Sequence, residues 1–264
     1  GTGTIPVAGA GTRMMWYPKK AAFRAGYING TQWDDENVGW YSIAMGKNTT
    51  ASGYNSTSMG FNTIASEEAS TAMGYNTRAN GLMSTAMGYN TTARSPVSTA
   101  MGYNTTTNGY ASTAMGMNTH AQSFASVVLG RYNVLSGDSL QWIPTDPLFV
   151  IGNGDDASNP SNALTVYKNG DMNVNGNMDV DKDINVFESI NVNGNISVNG
   201  YMNVNWSINT NGIVTASDGN STEWDSAYTW GNHASAGYLT AEVDGSVTNE
   251  IQALSINKDT IKLS

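Results

Sequence analysis

Catalysis in this chain would depend on very few reactive side chains. The sequence has no cysteine and two histidines, His120 and His233. Each histidine lies in a repeated or motif-like segment, and no Gly-x-Ser-x-Gly pattern is present. A polysaccharide-degrading enzyme would need paired carboxylates in a groove between chains, and the repeats supply almost no such pairs. The sequence therefore predicts no catalytic residue and no enzymatic activity.

Three aspartates, Asp179, Asp181 and Asp183, are the best candidates for a metal site. An EF-hand loop starting at Asp179 would need Gly at its sixth position and Glu at its twelfth, where this chain has Ile184 and Ile190. Alternate residues of a strand share one face, so we expect the three carboxylates to face solvent. The sequence predicts no metal ion and no other cofactor.

Phe61, Tyr75, Tyr89 and Tyr103 form a series with a spacing of 14 residues and are candidate receptor-binding residues. Aligned rings could stack on the sugars of a cell-surface glycan, or they could stack on each other and stabilise a repeat structure. We favour the structural role. Several Asn-x-Ser/Thr triplets coincide with a repeated Asn-Thr turn, so they give little support to glycosylation.

The aromatic series belongs to a 14-residue repeat that organises the first half of the chain. Its most regular feature is a methionine or leucine followed by glycine. The seven apolar positions are Met45, Met59, Met73, Met87, Met101, Met115 and Leu129. Fourteen residues can hold two short strands and two tight turns, which is one coil of a parallel solenoid. Coils that stack at about 4.8 Å would build a body about 34 Å tall.

Alternation along the longer strand predicts which residues point inward. Ser70, Ala72 and Gly74 share one face, whereas Thr71 and Met73 share the other. Because so short a coil has a narrow lumen, we expect the small residues inside. The seven apolar residues then form an outer stripe that a soluble monomer would avoid exposing. The stripe predicts copies of the same chain around a symmetry axis.

The segments "SIAMGKNTTASG", "STAMGYNTRANG" and "STAMGYNTTA" resemble the head repeats of trimeric autotransporter adhesins, the YadA-like head. The resemblance covers residues 41–132 and implies a left-handed parallel β-roll in a three-chain head. It also implies that the seven apolar residues line the trimer axis. Methionine stands here where the family more often has isoleucine or valine, and methionine fills irregular gaps well.

A second repeat, with a period of six residues, follows in residues 171–212. Its alternating apolar residues are typical of strands, and its Asn-Gly pairs are typical of tight turns. A single-chain β-helix is possible, but we favour a stem of three intertwined chains because each unit supplies only two large apolar side chains. The predicted stem core is Met172, Val174, Met178, Val180, Ile184, Val186, Ile190, Val192, Ile196, Val198, Met202 and Val204.

The remaining segments complete an all-β organisation. We expect residues 1–41 to form a cap over the open solenoid end and residues 42–134 to form the β-roll head. Residues 135–170 would form a connector, and residues 213–264 a C-terminal region. In that last region Trp230 to His233 and Ala236 to Leu239 resemble a segment of bacteriophage tail-fibre proteins. Val243, Val247, Ile251 and Leu254 then have helical spacing, which predicts a brief trimeric coil, and a short strand follows.

Composition restricts the function further. The chain of 264 residues carries a net charge of −9 with 12 basic residues, so we expect no nucleic-acid partner. No apolar run is long enough to insert into a membrane, and the start at Gly1 suggests a segment of a longer protein. We expect a homotrimeric tail fibre of a phage or phage-like contractile injection system. The alternative is a bacterial surface adhesin.

That function implies a set of partners and a location. The chain would bind two further copies of itself, a cell-surface glycan or protein receptor, and baseplate or other fibre proteins. It would reside on a virion tail or an extracellular injection device, or alternatively on the bacterial cell surface.

Overall fold

The computed structural model describes residues 3–187, 189–190, 192–193 and 196, together with four short strands further along the chain. The chain divides into two compact units, Gly1–Ile184 and Asn185–Ser264, which we treat separately. In chain order the strands of the first unit are β1 (Gly11–Tyr17), β2 (Ala22–Ile28), β3 (Ile43–Lys47), β4 (Thr50–Ala51), β5 (Thr57–Phe61), β6 (Ile64–Ala65), β7 (Thr71–Tyr75), β8 (Arg78–Ala79), β9 (Thr85–Tyr89), β10 (Thr92–Ala93), β11 (Thr99–Tyr103), β12 (Thr106–Thr107), β13 (Thr113–Met117), β14 (His120–Ala121), β15 (Val127–Arg131), β16 (Pro147–Asn153), β17 (Asn162–Tyr167) and β18 (Met172–Val174).

The repeat region is a parallel β-solenoid, as the 14-residue period predicts. The long strands β3, β5, β7, β9, β11, β13 and β15 stack in one sheet. The short strands β4, β6, β8, β10, β12 and β14 stack in a second sheet. Equivalent residues lie opposite each other: Met59 pairs with Met73, and Tyr75 pairs with Tyr89. Because the coils have equal length and most carry the same residue type at a given position, the hydrogen-bond register follows the repeat.

The lumen contains the small residues, and glycine departs from the expectation. Ser70, Ala72, Thr77 and Ala79 are fully buried, as are their equivalents in most coils. Gly74, which we expected inside, is exposed and has φ of +122°. This backbone conformation bends the strand, so that a side chain at this position would point along the stack toward the next coil rather than into the lumen. The assignment of glycine to the inner face was therefore wrong.

Each coil turns through two residues in the left-handed conformation. One corner is an asparagine in every coil from Asn48 to Asn118, a residue that tolerates this region. The other corner is more varied and includes residues that are unfavourable there. Its members are Tyr41, Asn55, Ala69, Met83, Val97, Ala111 and Ala125.

Val97 is the most strained member of the second corner. Its φ is +59°, a region that β-branched residues avoid, and its side chain is exposed. We expect Val97→Asn to raise the free energy of unfolding by about 1 kcal/mol, because asparagine adopts this conformation more readily. Asn55→Val, the reverse change at the equivalent corner, should lower it by a similar amount. Denaturant titration measures both, and equal effects in the same direction would contradict the argument.

The N-terminal block continues the solenoid sheet and closes its lumen. Strands β1 and β2 form an antiparallel hairpin, and β2 pairs in parallel with β3. Trp33 is fully buried, and its Nε1 donates a hydrogen bond of 2.9 Å to the carbonyl oxygen of Thr49. Arg24 is also fully buried and hydrogen-bonds the backbone of the first coil. Large side chains thus fill the lumen where the repeat of small residues ends. Two short 3₁₀ helices, Pro18–Lys20 and Asp35–Asn37, complete this block.

The other end of the solenoid is closed by the connector. Strand β16 adds in parallel to β15, and β17 and β18 follow in antiparallel order. Lys168 contacts the loop that precedes β16. Its side chain is buried, and Nζ lies 3.9 Å from Asp146 Oδ2 and 5.0 Å from the centroid of the Trp142 ring. Burial lowers the pKa of Lys168, although the charges of Asp146 and Asp138 oppose that shift.

The described part of the six-residue repeat forms little regular secondary structure in a single chain. Residues 175–187 contain no strand, so this part of the chain does not form a single-chain β-helix. Along the described part of the repeat the predicted stem-core residues, from Met172 to Ile196, are exposed. Val198, Met202 and Val204 lie outside the described residues, so the stem core remains a prediction.

The C-terminal region contributes two antiparallel strand pairs. The first joins β19 (Thr215–Ala216) to β20 (Gly219–Asn220), and the second joins β21 (Leu254–Asn257) to β22 (Thr260–Leu263). Leu254 therefore begins a strand instead of ending a helix. Val243, Val247 and Ile251 lie outside the described residues, as do the segments from Trp230 to His233 and from Ala236 to Leu239.

Candidate functional site

The outer face of the long strands carries the predicted trimer-axis residues. All seven, from Met45 to Leu129, are half-buried, since the lumen side of each strand is taken by alanine, serine or valine. They form one column along the sheet, and the column continues beyond the repeat, because Leu129 pairs with Ile151. Such a straight apolar column is suited to contact with a similar column.

The aromatic series lies beside that column as a continuous stack. Ring centroids are 4.7 Å apart between Phe61 and Tyr75 and 5.0 Å apart at each following step to Tyr89 and Tyr103. The planes differ by no more than 11°. Lys47 Nζ lies 5.2 Å from the centroid of the Phe61 ring at one end of the stack. This arrangement follows from the coil spacing, which is close to the distance that offset rings prefer.

Stacking of this kind restricts what the aromatic series can bind. Each inner ring has a neighbouring ring on both faces, and Tyr103 is followed in register by Met117. A sugar that packs on an aromatic residue needs a free ring face, and the series presents ring edges and hydroxyl groups instead. The geometry therefore favours the structural role that we preferred for these four residues.

A groove at the last coil combines residues that the sequence did not single out as a group. It has a volume of about 430 Å³ and lies beside β14 and the loop that carries Pro160. Its lining includes Asn118, His120, Tyr132 and Leu135. Sequence reasoning missed the groove because the covering loop is distant in the chain. A signal did exist at Tyr132, which stands where the six preceding coils have asparagine.

The backbone of His120, the histidine of this groove, makes two hydrogen bonds with the side chain of Asn133. His120 N donates a hydrogen bond of 2.8 Å to Asn133 Oδ1, and Asn133 Nδ2 donates one of 3.0 Å to the carbonyl oxygen of His120. Partial burial and the nearby charge of Arg94 lower the pKa of His120, so the imidazole is neutral at pH 7. A neutral imidazole offers one hydrogen-bond donor and one acceptor.

The described residues give no support to a metal site at the three aspartates. Asp179, Asp181 and Asp183 are exposed, and the described part of the chain contains no group of three or more His, Cys, Asp or Glu residues that could hold a metal ion. His233 lies outside the described residues. No helix in the described part is both long and apolar enough to cross a membrane.

The solenoid coils correspond to a known repeat. Four segments match the YadA head domain repeat. They are residues 41–63, 51–77 and 65–91, which overlap, and residues 98–119, which follow after a gap of six residues. These segments cover most of the stacked coils between β3 and β13, less than a third of the chain, and they confirm the YadA-like part of the resemblance. No curated protein matches this chain.

Proposed function

We propose that this chain is part of an extracellular attachment fibre, in which the solenoid is a rigid head that contacts a cell surface. The observation that carries the proposal is the coincidence of the YadA head repeats with a stack of 14-residue coils in register. The low charge of the repeats and the lack of catalytic groupings among the described residues suit a binding or structural role. Adhesion to cells by the purified protein, measured with a fluorescent label, tests it. Absence of binding to every cell type tried would argue against it.

The fibre is proposed to be a homotrimer built on the column from Met45 to Leu129. In one chain this column is half-buried and uninterrupted, and exposed apolar stripes of this length are uncommon on soluble monomers. The stem-core residues from Met172 to Ile196 are exposed in one chain and would be covered in the same assembly. Both repeats therefore lack, in a single chain, the contacts that a threefold assembly would supply.

Met87→Lys should dissociate the trimer, because it places three ammonium groups near the axis without partners. Sedimentation velocity should give about 84 kDa for the native protein (three times 28.0 kDa) and about 28 kDa for the variant. Thr92→Lys adds the same charge on the outer side of a short strand and should leave the trimer intact. A native mass of 28.0 kDa, or a Met87→Lys trimer, would contradict the proposed axis.

A phage or phage-like tail fibre is a second candidate for the assembly that carries this head. It is favoured by the six-residue repeat and by the tail-fibre-like segments around Trp230 and Tyr238. In that case the other partners would be baseplate or fibre proteins. Immunogold electron microscopy distinguishes a tail fibre from a bacterial surface adhesin. A tail fibre would be labelled on free particles, and an adhesin would be labelled on the surface of the producing cell.

A further inference from the structure

The groove beside β14 is formed where the repeat changes its residues. The first position of the short strands varies from coil to coil, and its column ends at His120. In register it reads Thr50, Ile64, Arg78, Thr92, Thr106 and His120. In the asparagine corner, the residue 14 positions after Asn118 is Tyr132, which keeps the left-handed conformation with φ of +41°. The groove therefore combines the last residue of a variable column with the residue that replaces asparagine at the end of the corner.

Hydrogen-bonding groups remain free at this groove. Along the asparagine corner, Asn90 Nδ2 donates to Asn104 Oδ1 over 2.6 Å, and Asn104 Nδ2 donates to Asn118 Oδ1 over 3.1 Å. The series runs in one direction, so Asn118 Nδ2 is left at its end with no acceptor among the described residues. The backbone of His120 is satisfied by Asn133, whereas its imidazole has no hydrogen bond in this part of the chain.

The lining of the groove contains no acidic or basic side chain other than the neutral His120, and part of it is apolar. The ring of Tyr132 and the side chains of Leu135 and Pro160 supply nonpolar surface. Two cations lie near the groove: Arg131 is paired with Asp155 at 3.1 Å, and Arg94 is close enough to lower the pKa of His120 but is not part of the lining. A ligand that suits this lining has several hydroxyl or amide groups on one side, an aliphatic C–H surface on the other, and no strong charge.

We propose that the groove of Asn118, His120 and Tyr132 binds a neutral carbohydrate of one or two sugar units on the target surface. The inference rests on the proposed attachment function and gives it a receptor class and a position. Asn118 and His120 hydrogen-bond the sugar hydroxyl or acetamido groups, and the aliphatic face of the sugar packs against Tyr132 and Leu135. Unlike the stacked rings of Phe61 to Tyr103, the ring of Tyr132 has no aromatic stacking partner among the described residues.

The test uses the labelled 264-residue chain on an array of immobilised neutral oligosaccharides and acidic ones that contain sialic or uronic acids. We expect binding to neutral members. His120→Thr and Tyr132→Asn restore the residues that the repeat has elsewhere, so both variants should fold, and each should weaken binding at least about tenfold, which is about 1.4 kcal/mol. Thr92→His places an imidazole in the same column two coils away and should leave binding unchanged.

Other binding results would overturn either the groove assignment or the carbohydrate proposal. Neutral-sugar binding that survives both restoring variants would overturn the groove assignment and leave the attachment function standing. Binding to acidic members alone, or to none, would overturn the carbohydrate proposal. In that case adhesion of the same labelled protein to whole cells decides whether the attachment function also fails.

Discussion

Gly74→Ala is expected to lower the free energy of unfolding by more than about 4 kcal/mol, an unusually large effect for one methyl group. A Cβ atom at this position would lie 2.0 Å from the carbonyl oxygen of Gly88 in the next coil. That oxygen belongs to the backbone and cannot move without separating two stacked strands. In addition, φ of +122° is a conformation that alanine rarely adopts.

Gly170→Ala is the matched control, because it separates backbone strain from the clash. Gly170 also has a positive φ, +94°, but no atom lies within 4 Å of a Cβ built there. It should therefore cost only the strain, about 1–2 kcal/mol. Guanidinium titrations of both variants measure the difference, and equal losses would show that contact between coils is not what selects glycine at Gly74.

Arg24→Ala should destabilise the protein by about 2–4 kcal/mol, since it empties the first turn of the lumen and removes charge-assisted hydrogen bonds. Arg24 Nη1 donates to the carbonyl oxygen of Ser42 over 2.9 Å, and Nη2 donates to Ser42 Oγ over 2.8 Å and to the carbonyl oxygen of Ala51 over 2.9 Å. Burial lowers the pKa of Arg24 to about 10, so the guanidinium stays charged at pH 7 and depends on these oxygens.

Two further substitutions isolate the cause of that loss. Arg24→Met keeps most of the buried volume without the hydrogen bonds, so its cost should be smaller than that of alanine by the cavity contribution. Arg78→Ala removes an exposed arginine and should change stability by no more than about 0.5 kcal/mol. Thermal or denaturant unfolding compares the three. If Arg24→Ala were as mild as Arg78→Ala, the buried arginine would contribute nothing to the closure of the solenoid.

Much of the fold was predictable because the sequence repeats. Once Met73 and Met87 are 14 residues apart, stacking in register places them opposite each other, as observed. Alternation within a strand correctly placed Ala72 in the lumen and Met73 outside. Local rules sufficed here, since in a parallel stack the neighbours of each residue are copies of itself.

Glycine showed the limit of those rules. Strict alternation places Gly74 in the lumen, yet its positive φ bends the chain at that point. Spacing alone could not show on which side Tyr75 lies, because that depends on the backbone dihedral of the preceding residue. Nor could it show that the ring faces of the aromatic series cover each other.

The sequence by itself determined the period, the two strands and two turns of each coil, the small residues inside and the apolar column outside. Only the tertiary structure decided how the lumen is closed and where a groove opens. Arg24 reaches the first coil from strand β2, Trp33 reaches it from the loop after β2, and Pro160 reaches the groove of His120 from a loop 40 residues further along the chain. Contacts between segments of different sequence do not repeat, and therefore no period in the sequence reports them.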